Sequence, residues 1–354
     1  MDRLKLGIVG AGAIAKVHAS NFSKLEDVEL VAITDAFLPL AEKTASEYGI
    51  GKVFPNPESL MESNEVDAVI IAVPNKWHAP YAIHALKHNK HVLLEKPMGI
   101  DLQSAEEIVQ AQKSSGKVMM IPHQMRWEWF SRKAKGLIEE GRMGRIYYAK
   151  ASYLRRKGIP GWGSWFTRKD EAGGGPLIDI GVHMLDLALY LMGNPKPVSV
   201  VGSAYAEMGP HRKGIGNWGT PNWDGYFDVE DLAAAFIKFD NGATLFLEVS
   251  WAGHTEIQSS PTIQLMGTDG GATIKGNQGQ LHAEIFDEVV DIDLAKPDLE
   301  ENERVLLSKH FVECIRSGQE PISNVWTGYI NNRIIDAIYE SSKTGKEVRL
   351  DWNE

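Results

Sequence analysis

The stretch "LKLGIVGAGAIAKVHASNF", Leu4 to Phe22, constrains the fold more than any other part of this chain. Leu6 to Val9 form a short apolar run, a glycine turn follows, and helical periodicity then takes over. The turn reads Gly10-x-Gly12-x-x-Ala15, the fingerprint of a dinucleotide-binding βαβ unit with alanine in its third place. Gly10 permits the tight turn, Gly12 lets backbone approach a pyrophosphate, and Ala15 keeps the helix close to the strand. Ala13 and Ile14 lie between them, at a helix start whose unpaired N–H groups attract an anion. A second strand, "VELVAITDAF", ends in Asp35, twenty residues after Ala15, where a carboxylate accepts hydrogen bonds from an adenosine ribose. Ala36 and Phe37 follow, so no arginine waits for a 2'-phosphate, and NAD is expected in preference to NADP.

The alternation continues. "VDAVIIAVP", "HVLLEKP" and "KVMMIPHQ" read as buried strands, separated by helical patterns in "APYAIHALKHN" and "SAEEIVQAQKSSG". Repeated strand–helix units predict a doubly wound parallel sheet whose ligands lie beyond the carboxyl ends of the strands. Two such ends are chemically conspicuous: "VPNKWH", with Pro74, Asn75 and His78, and "EKP", with Glu95, Lys96 and Pro97. These six are expected at the cofactor.

A chain of 354 residues exceeds one ordinary core. Later segments change character: "GRIYYAKASYLRR" alternates like a strand, and "DLAAAFIKFDNGATLFLEVSW" reads as a hairpin turning at Asp240-Asn241-Gly242. The division predicted is a dinucleotide-binding domain over 1–123 and a second α/β domain over 124–354 for substrate binding and oligomerisation.

The second domain contains "GGGPLIDIGVHMLDLALYLMG", Gly173 to Gly193, a helix that is apolar on every side apart from Asp179, His183 and Asp186. At about 100° per residue those three share one stripe within about 60° of arc. For Asp186 a structural role, holding the helix to its neighbours, is favoured; for Asp179 and His183 the spacing alone favours a buried hydrogen-bonded pair over chemistry. Aromatic, glycine-rich segments flank this region. "RRKGIPGWGSWFT" carries Arg155, Trp162 and Trp165, and "GIGNWGTPNWDGYFD" carries Trp218 and Trp223. Flat aromatic faces beside polar groups suit a sugar ring, and equally a subunit contact.

Lys plus Arg number 37 against 47 Asp plus Glu, a net charge of -10, and no basic block offers a surface for nucleic acid. The opening residues hold no signal or membrane-spanning stretch, so a cytoplasmic location without a membrane partner is expected. The single cysteine, Cys314, lies in a helical pattern and reads as a buried structural thiol. His84 and His88 are four apart on a helix, but no HExxH, cysteine or acidic cluster accompanies them, so they read as a solvated face and no metal site is expected.

Taken together, "GIVGAGAIA", "VPNKWH", "EKP" and "GGGPLIDIGVHMLD" resemble the Gfo/Idh/MocA family of glucose-fructose oxidoreductases, inositol dehydrogenases and MocA-type proteins, over nearly the whole chain. The resemblance implies an N-terminal Rossmann domain and a C-terminal α/β domain on a large, mostly antiparallel sheet, in a homodimer or homotetramer. It implies Lys96, Asp179 and His183 as the catalytic set of an NAD-dependent dehydrogenase of sugars or cyclic polyols, facing a cleft between domains. Arg126, Arg155, Trp162 and Trp165 are expected to join them at the substrate. Oxidising a secondary alcohol takes a hydride from carbon and a proton from oxygen, and an imidazole, with an ordinary pKa of about 6.5, suits the base. The family also includes NAD-dependent glycosidases, which leaves a hydrolase with a transient redox cycle as the alternative.

Overall fold

The computed structural model of the protein describes residues 2–255, 260–298 and 300–352. The chain folds as two compact units, Met1–Gln124 with Glu301–Asn332, and Met125–Glu300 with Arg333–Glu354.

The sheet of the first unit comprises β1 (Leu4–Val9), β2 (Val28–Thr34), β3 (Lys52–Val53), β4 (Ala68–Ile71), β5 (His91–Leu94) and β6 (Met119–Met120). All neighbours are parallel, in the order β3-β2-β1-β4-β5-β6. Strands this apolar form because both faces are covered: Leu6, Ile8, Ile70, Ile71 and Leu93 have no exposure at all. Between them run α1 (Ala13–Phe22), α2 (Leu38–Tyr48), α3 (Pro57–Glu62), α4 (His78–Lys87) and α5 (Leu102–Ser115). The strand order reverses between β1 and β4, and such a switch point opens a crevice at the carboxyl ends of the strands.

Residues 301–332, expected in the second domain, belong to this unit instead. Here α9 (Glu303–Ser317) packs on α1, with Phe311 set edge-on to Phe22 at 6.3 Å. Further along, the amide of Ile121 donates to the Ser323 carbonyl at 2.9 Å. Apolar contacts distant in sequence thus recruit a late segment that linear reading assigns to its sequence neighbours. Cys314 is buried in α9, its thiol raised to about 11 by burial, consistent with a structural role.

In the second unit α6 (Trp129–Glu139) precedes β7 (Ile146–Leu154), and the short α7 (Lys169–Ala172) precedes α8 (Val182–Leu191). There follow β8 (Pro197–Tyr205), β9 (Leu232–Phe239), β10 (Thr244–Ser250), β11 (Thr262–Gly267), β12 (Gly271–Lys275), β13 (Gln278–Ile285), β14 (Glu288–Asp293) and, after α10 (Val325–Thr344), β15 (Val348–Arg349). They form one nine-stranded sheet, β14-β13-β12-β11-β7-β10-β9-β8-β15, antiparallel except where β7 lies parallel to β10. The hairpin of β9 and β10 turns at Asn241-Gly242. On one face Leu245, Leu247 and Val249 are fully buried, and α8 packs over β7 and β10.

The helix that carries the polar stripe departs from the expected geometry. Leu177–Gly181 is a wide π-helical turn, and the α-helix starts only at Val182. The 100° arithmetic therefore fails for Asp179, because a π turn takes an extra residue per turn. The stretch Lys169–Leu191 is long and apolar enough to cross a membrane by length and composition, yet 83% of its most apolar window is buried inside the protein.

Candidate active site

In the first unit the β1–α1 turn meets the end of β4 at the switch point. Gly10 has φ = 101°, and a Cβ there would stand 2.2 Å from the Ala72 carbonyl oxygen, so only glycine fits. A Cβ on Gly12, by contrast, would meet nothing within 4 Å. Gly12 caps α1 without a side-chain hydrogen bond, and Ala13 and Ile14 are not buried, so the first N–H groups of α1 point into open space. Ala15 is fully buried and holds α1 against the sheet. Asp35, just past β2, accepts from the amide of Ala11 at 2.7 Å and of Phe37 at 2.8 Å. A carboxylate offers about four lone-pair directions, so two remain for ribose hydroxyls. An uncapped helix start, an open glycine and a half-buried carboxylate beside them fit a dinucleotide.

The other strand ends divide differently from the sequence expectation. His78 is 1% exposed, with Nδ1 2.6 Å from the Pro97 carbonyl and Nε2 2.9 Å from that of Val73. Burial lowers its pKa, and the neutral ring, with one N–H, donates to one of the two carbonyls from its place between the β4 and β5 loops. Direct contact with a cofactor, expected of His78, gives way to this latch. Glu95 is also buried, and its carboxylate takes His18 Nε2 at 2.7 Å and the Lys96 amide at 3.2 Å. Burial opposes its ionisation, but the His18 hydrogen bond and nearby positive charges outweigh it and lower its pKa. Glu95 thus supports the loop from behind. Asn75 is buried at the start of a 3-10 turn, Asn75–Trp77, with Pro74 half-exposed before it. Lys96 is half-buried, and its bond to the buried Pro97 is cis.

In the second unit every residue from Ala172 to Leu189 is buried except two, Asp179 and His183. Asp179 Oδ2 accepts from Nε1 of the fully buried Trp251 at 3.0 Å, which fixes the carboxylate. The glycine run before them has a steric cause: a Cβ would lie 1.9 Å from the Tyr339 hydroxyl at Gly174 and 2.0 Å from the Glu230 carbonyl at Gly175. Glu230, buried, then accepts the amides of Gly175 at 2.9 Å and Leu177 at 3.0 Å and the Tyr339 hydroxyl at 3.0 Å. It is a capping carboxylate supplied from 53 residues away in sequence. Sequence reading overlooked both Glu230 and Trp251, although two consecutive acids, Glu230-Asp231, at the entrance to an apolar strand were a legible signal.

Arg126 and Asp186 form a bidentate pair, Nε to Oδ2 at 2.7 Å and Nη2 to Oδ1 at 2.6 Å, each residue 1% exposed. Asp186 thereby ties α8 to the chain before α6. The substrate contact expected of Arg126 is replaced by this ion pair, which forms because a buried guanidinium and carboxylate each need the other. Trp162 is also withdrawn from the expected role: it is 4% exposed and donates Nε1–H to the Gly209 carbonyl at 2.8 Å. Trp165 is half-buried, stacked on Phe166, whose other neighbour is the exposed Trp218. Arg155 is half-buried and lies over Tyr153, donating to its hydroxyl at 2.8 Å.

A Rossmann-order parallel sheet joined to a mostly antiparallel α/β unit defines a two-domain oxidoreductase architecture. Residues 4–123 match the family model described as an oxidoreductase family with an NAD-binding Rossmann fold, and 131–273 match the GFO/IDH/MocA C-terminal domain. The chain belongs to the Gfo/Idh/MocA family. It is 34% identical to D-glucoside 3-dehydrogenase of Escherichia coli, over 98% of this chain and 97% of the relative. With scyllo-inositol 2-dehydrogenase (NAD(+)) of Bacillus subtilis it shares 29% identity, over 99% and 97% of the two chains. A solved structure of levoglucosan dehydrogenase with NADH and levoglucosan has the same fold, with a TM-score of 0.88 at 24% identity, covering 98% of this chain and 99% of that one.

Proposed function

We propose that the protein is an NAD-dependent dehydrogenase that oxidises a secondary hydroxyl of a neutral sugar or cyclic polyol. The observation that carries this reading is the pair Asp179 and His183, the two breaks in an otherwise buried run from Ala172 to Leu189. The full-length relation to D-glucoside 3-dehydrogenase supports it.

When bound, NAD supplies the hydride acceptor. Gly10, Gly12 and the first amides of α1 hold its pyrophosphate, and Asp35 holds the ribose, with charge repulsion against a 2'-phosphate giving the preference for NAD over NADP. On the substrate, His183 takes the hydroxyl proton as general base. Lys96 places a cation at the oxygen and favours its alkoxide character. Asp179, aimed by Trp251, binds the neighbouring hydroxyl. Trp165 and Arg155 are the remaining candidates for the sugar ring.

The active species in this proposal is a homodimer or homotetramer. One rung of the large sheet runs through the facing residues Val201, Phe236 and Phe246, with Val201 49% and Phe236 37% exposed on the face opposite the helices. Light scattering behind size exclusion tests it; a strictly monomeric, active enzyme would refute it.

The activity is tested by incubating purified protein with NAD or NADP and a panel of glucosides, aldopyranoses, inositols, anhydrosugars and phosphosugars, following reduced cofactor and released aglycone together. NADH formation with a neutral ring is expected. Turnover confined to phosphosugars would exclude the neutral substrate, and glycoside cleavage without net reduction would replace the dehydrogenase by a hydrolase.

A further inference from the structure

At the α3–α4 edge the first unit gathers three metal-ligating groups that sequence spacing does not unite. His84 lies in the last turn of α4, His88 caps its carboxyl end, and Glu62 is the last residue of α3. The two imidazole centroids are 4.3 Å apart. Nε2 of His84 is 3.2 Å, and Nε2 of His88 4.0 Å, from the same Glu62 oxygen, Oε1. All three ligand atoms lie within 4.8 Å of one another.

The protonation pattern is informative. Nδ1 of His88 stands 2.9 Å from the His84 carbonyl, which can only accept, so Nδ1 carries the hydrogen. In the neutral ring Nε2 therefore presents a lone pair toward a carboxylate. Such backbone anchoring of one ring nitrogen, leaving the other to ligate, is the usual support of a metal-bound imidazole. Nε2 of His84, 3.2 Å from the same oxygen, satisfies it by donating its own hydrogen, which leaves the His88 lone pair facing a carboxylate; a metal ion would take both imidazoles and the carboxylate at once.

We propose that Glu62, His84 and His88 bind a divalent d-block cation of the zinc class. Two imidazoles and one carboxylate suit zinc rather than calcium or magnesium, which take oxygen ligands. Bonds of about 2.0–2.1 Å in tetrahedral array set ligand atoms about 3.4 Å apart, so the 3.2 Å pair already fits, the 4.0 Å pair closes by about 0.6 Å, and the two imidazole nitrogens, within 4.8 Å of each other, close by up to about 1.4 Å. These side chains are partly exposed and can move that far. The carboxyl end of α4 adds a favourable dipole for the ion. Water completes the coordination, and the ion ties α3 to α4. The site is separate from the cofactor loops, because His78 opens α4 six residues before His84 and ten before His88, about 9 to 15 Å along the axis.

The test uses the full chain stripped with EDTA and titrated with Zn²⁺ by calorimetry and with Co²⁺ by visible absorption. One saturable equivalent, intense tetrahedral Co²⁺ bands and a Zn²⁺-dependent rise of the thermal transition are expected. Glu62→Gln and His88→Gln, both at exposed positions and checked for native near-UV dichroism, should each weaken binding by about tenfold or more and abolish the thermal rise. Absence of saturable binding, or binding unchanged in both variants, would overturn the proposal.

Discussion

Replacing Glu230 by alanine should loosen the start of the segment that carries Asp179 and His183. In the native protein Glu230 accepts two buried backbone amides, those of Gly175 and Leu177, together with the Tyr339 hydroxyl. No side chain near the helix start can substitute, because the residues there are glycines and a proline. Leaving a buried donor unpaired costs about 1–3 kcal/mol, so two amides give about 2–6 kcal/mol. Glu230 also lines a cavity of about 510 Å³, shared with Lys169, Asp228, Asp336 and Tyr339. Water entering there re-pairs part of what is lost and brings the figure to about 2–4 kcal/mol. The burial that raises the Glu230 pKa offsets some of the native gain, which also favours the lower half of the range. Amide hydrogen exchange of the peptide spanning residues 173–182 reads this locally, without requiring two-state unfolding of a two-unit chain. At about 1.4 kcal/mol per decade, exchange should quicken about 30- to 700-fold. Turnover should fall while NAD affinity holds, since the cofactor loops lie in the other unit. Exchange within threefold of wild type would refute the capping role of Glu230.

Other outcomes follow from the same geometry. Asp35→Ser should narrow the preference for NAD over NADP, chiefly by weakening NAD, as read by fluorescence titration; native affinity tighter for NADP would contradict the reading. His183→Ala should lower turnover by about a hundredfold or more, the range for losing a positioned base, and Lys96→Met should be severely impaired while NAD still binds; near-native turnover in both would remove them from the site. Gly10→Ala should abolish cofactor binding and lower the melting temperature, because its Cβ would meet the Ala72 oxygen at 2.2 Å; unchanged NAD affinity would exclude the close approach. His91 should produce an acid instability. Burial holds its pKa at about 4, against the ordinary 6.5, and its Nδ1 accepts the Val118 amide at 3.1 Å. As pH falls from 6.5 toward 4 the unfolded chain takes up a proton that the folded chain refuses, so stability declines through that window. His91→Asn should lessen the drop in melting temperature between neutral and mildly acid pH, and an undiminished drop would assign it to other groups.

What the sequence determined by itself was whatever depends on neighbours along the chain. The apolar strands, the glycine turn with Asp35 twenty residues on, and the Asn241-Gly242 hairpin were legible because periodicity and local backbone freedom are short-range properties. The strand order 3-2-1-4-5-6 is another matter: parallel strands are joined by crossovers, and only packing sets their sequence in the sheet. The same limit explains the recruitment of residues 301–332 to the first unit, through contacts such as Phe22 with Phe311. Among the site residues, Asp179 and His183 stood out as polar breaks in an apolar run. Their setting did not, since a π turn over Leu177–Gly181 leaves no mark in residue spacing, and the groups that fix it are distant in sequence: Trp251, just past β10, reaches Asp179, and Glu230, just before β9, holds the amides of Gly175 and Leu177. Arg126, His78 and Trp162 carried the right chemistry for ligand contact. Tertiary structure gave their polar atoms to Asp186, to two loop carbonyls and to Gly209 because a buried polar group must find a partner, and the fold chooses which partner lies within reach.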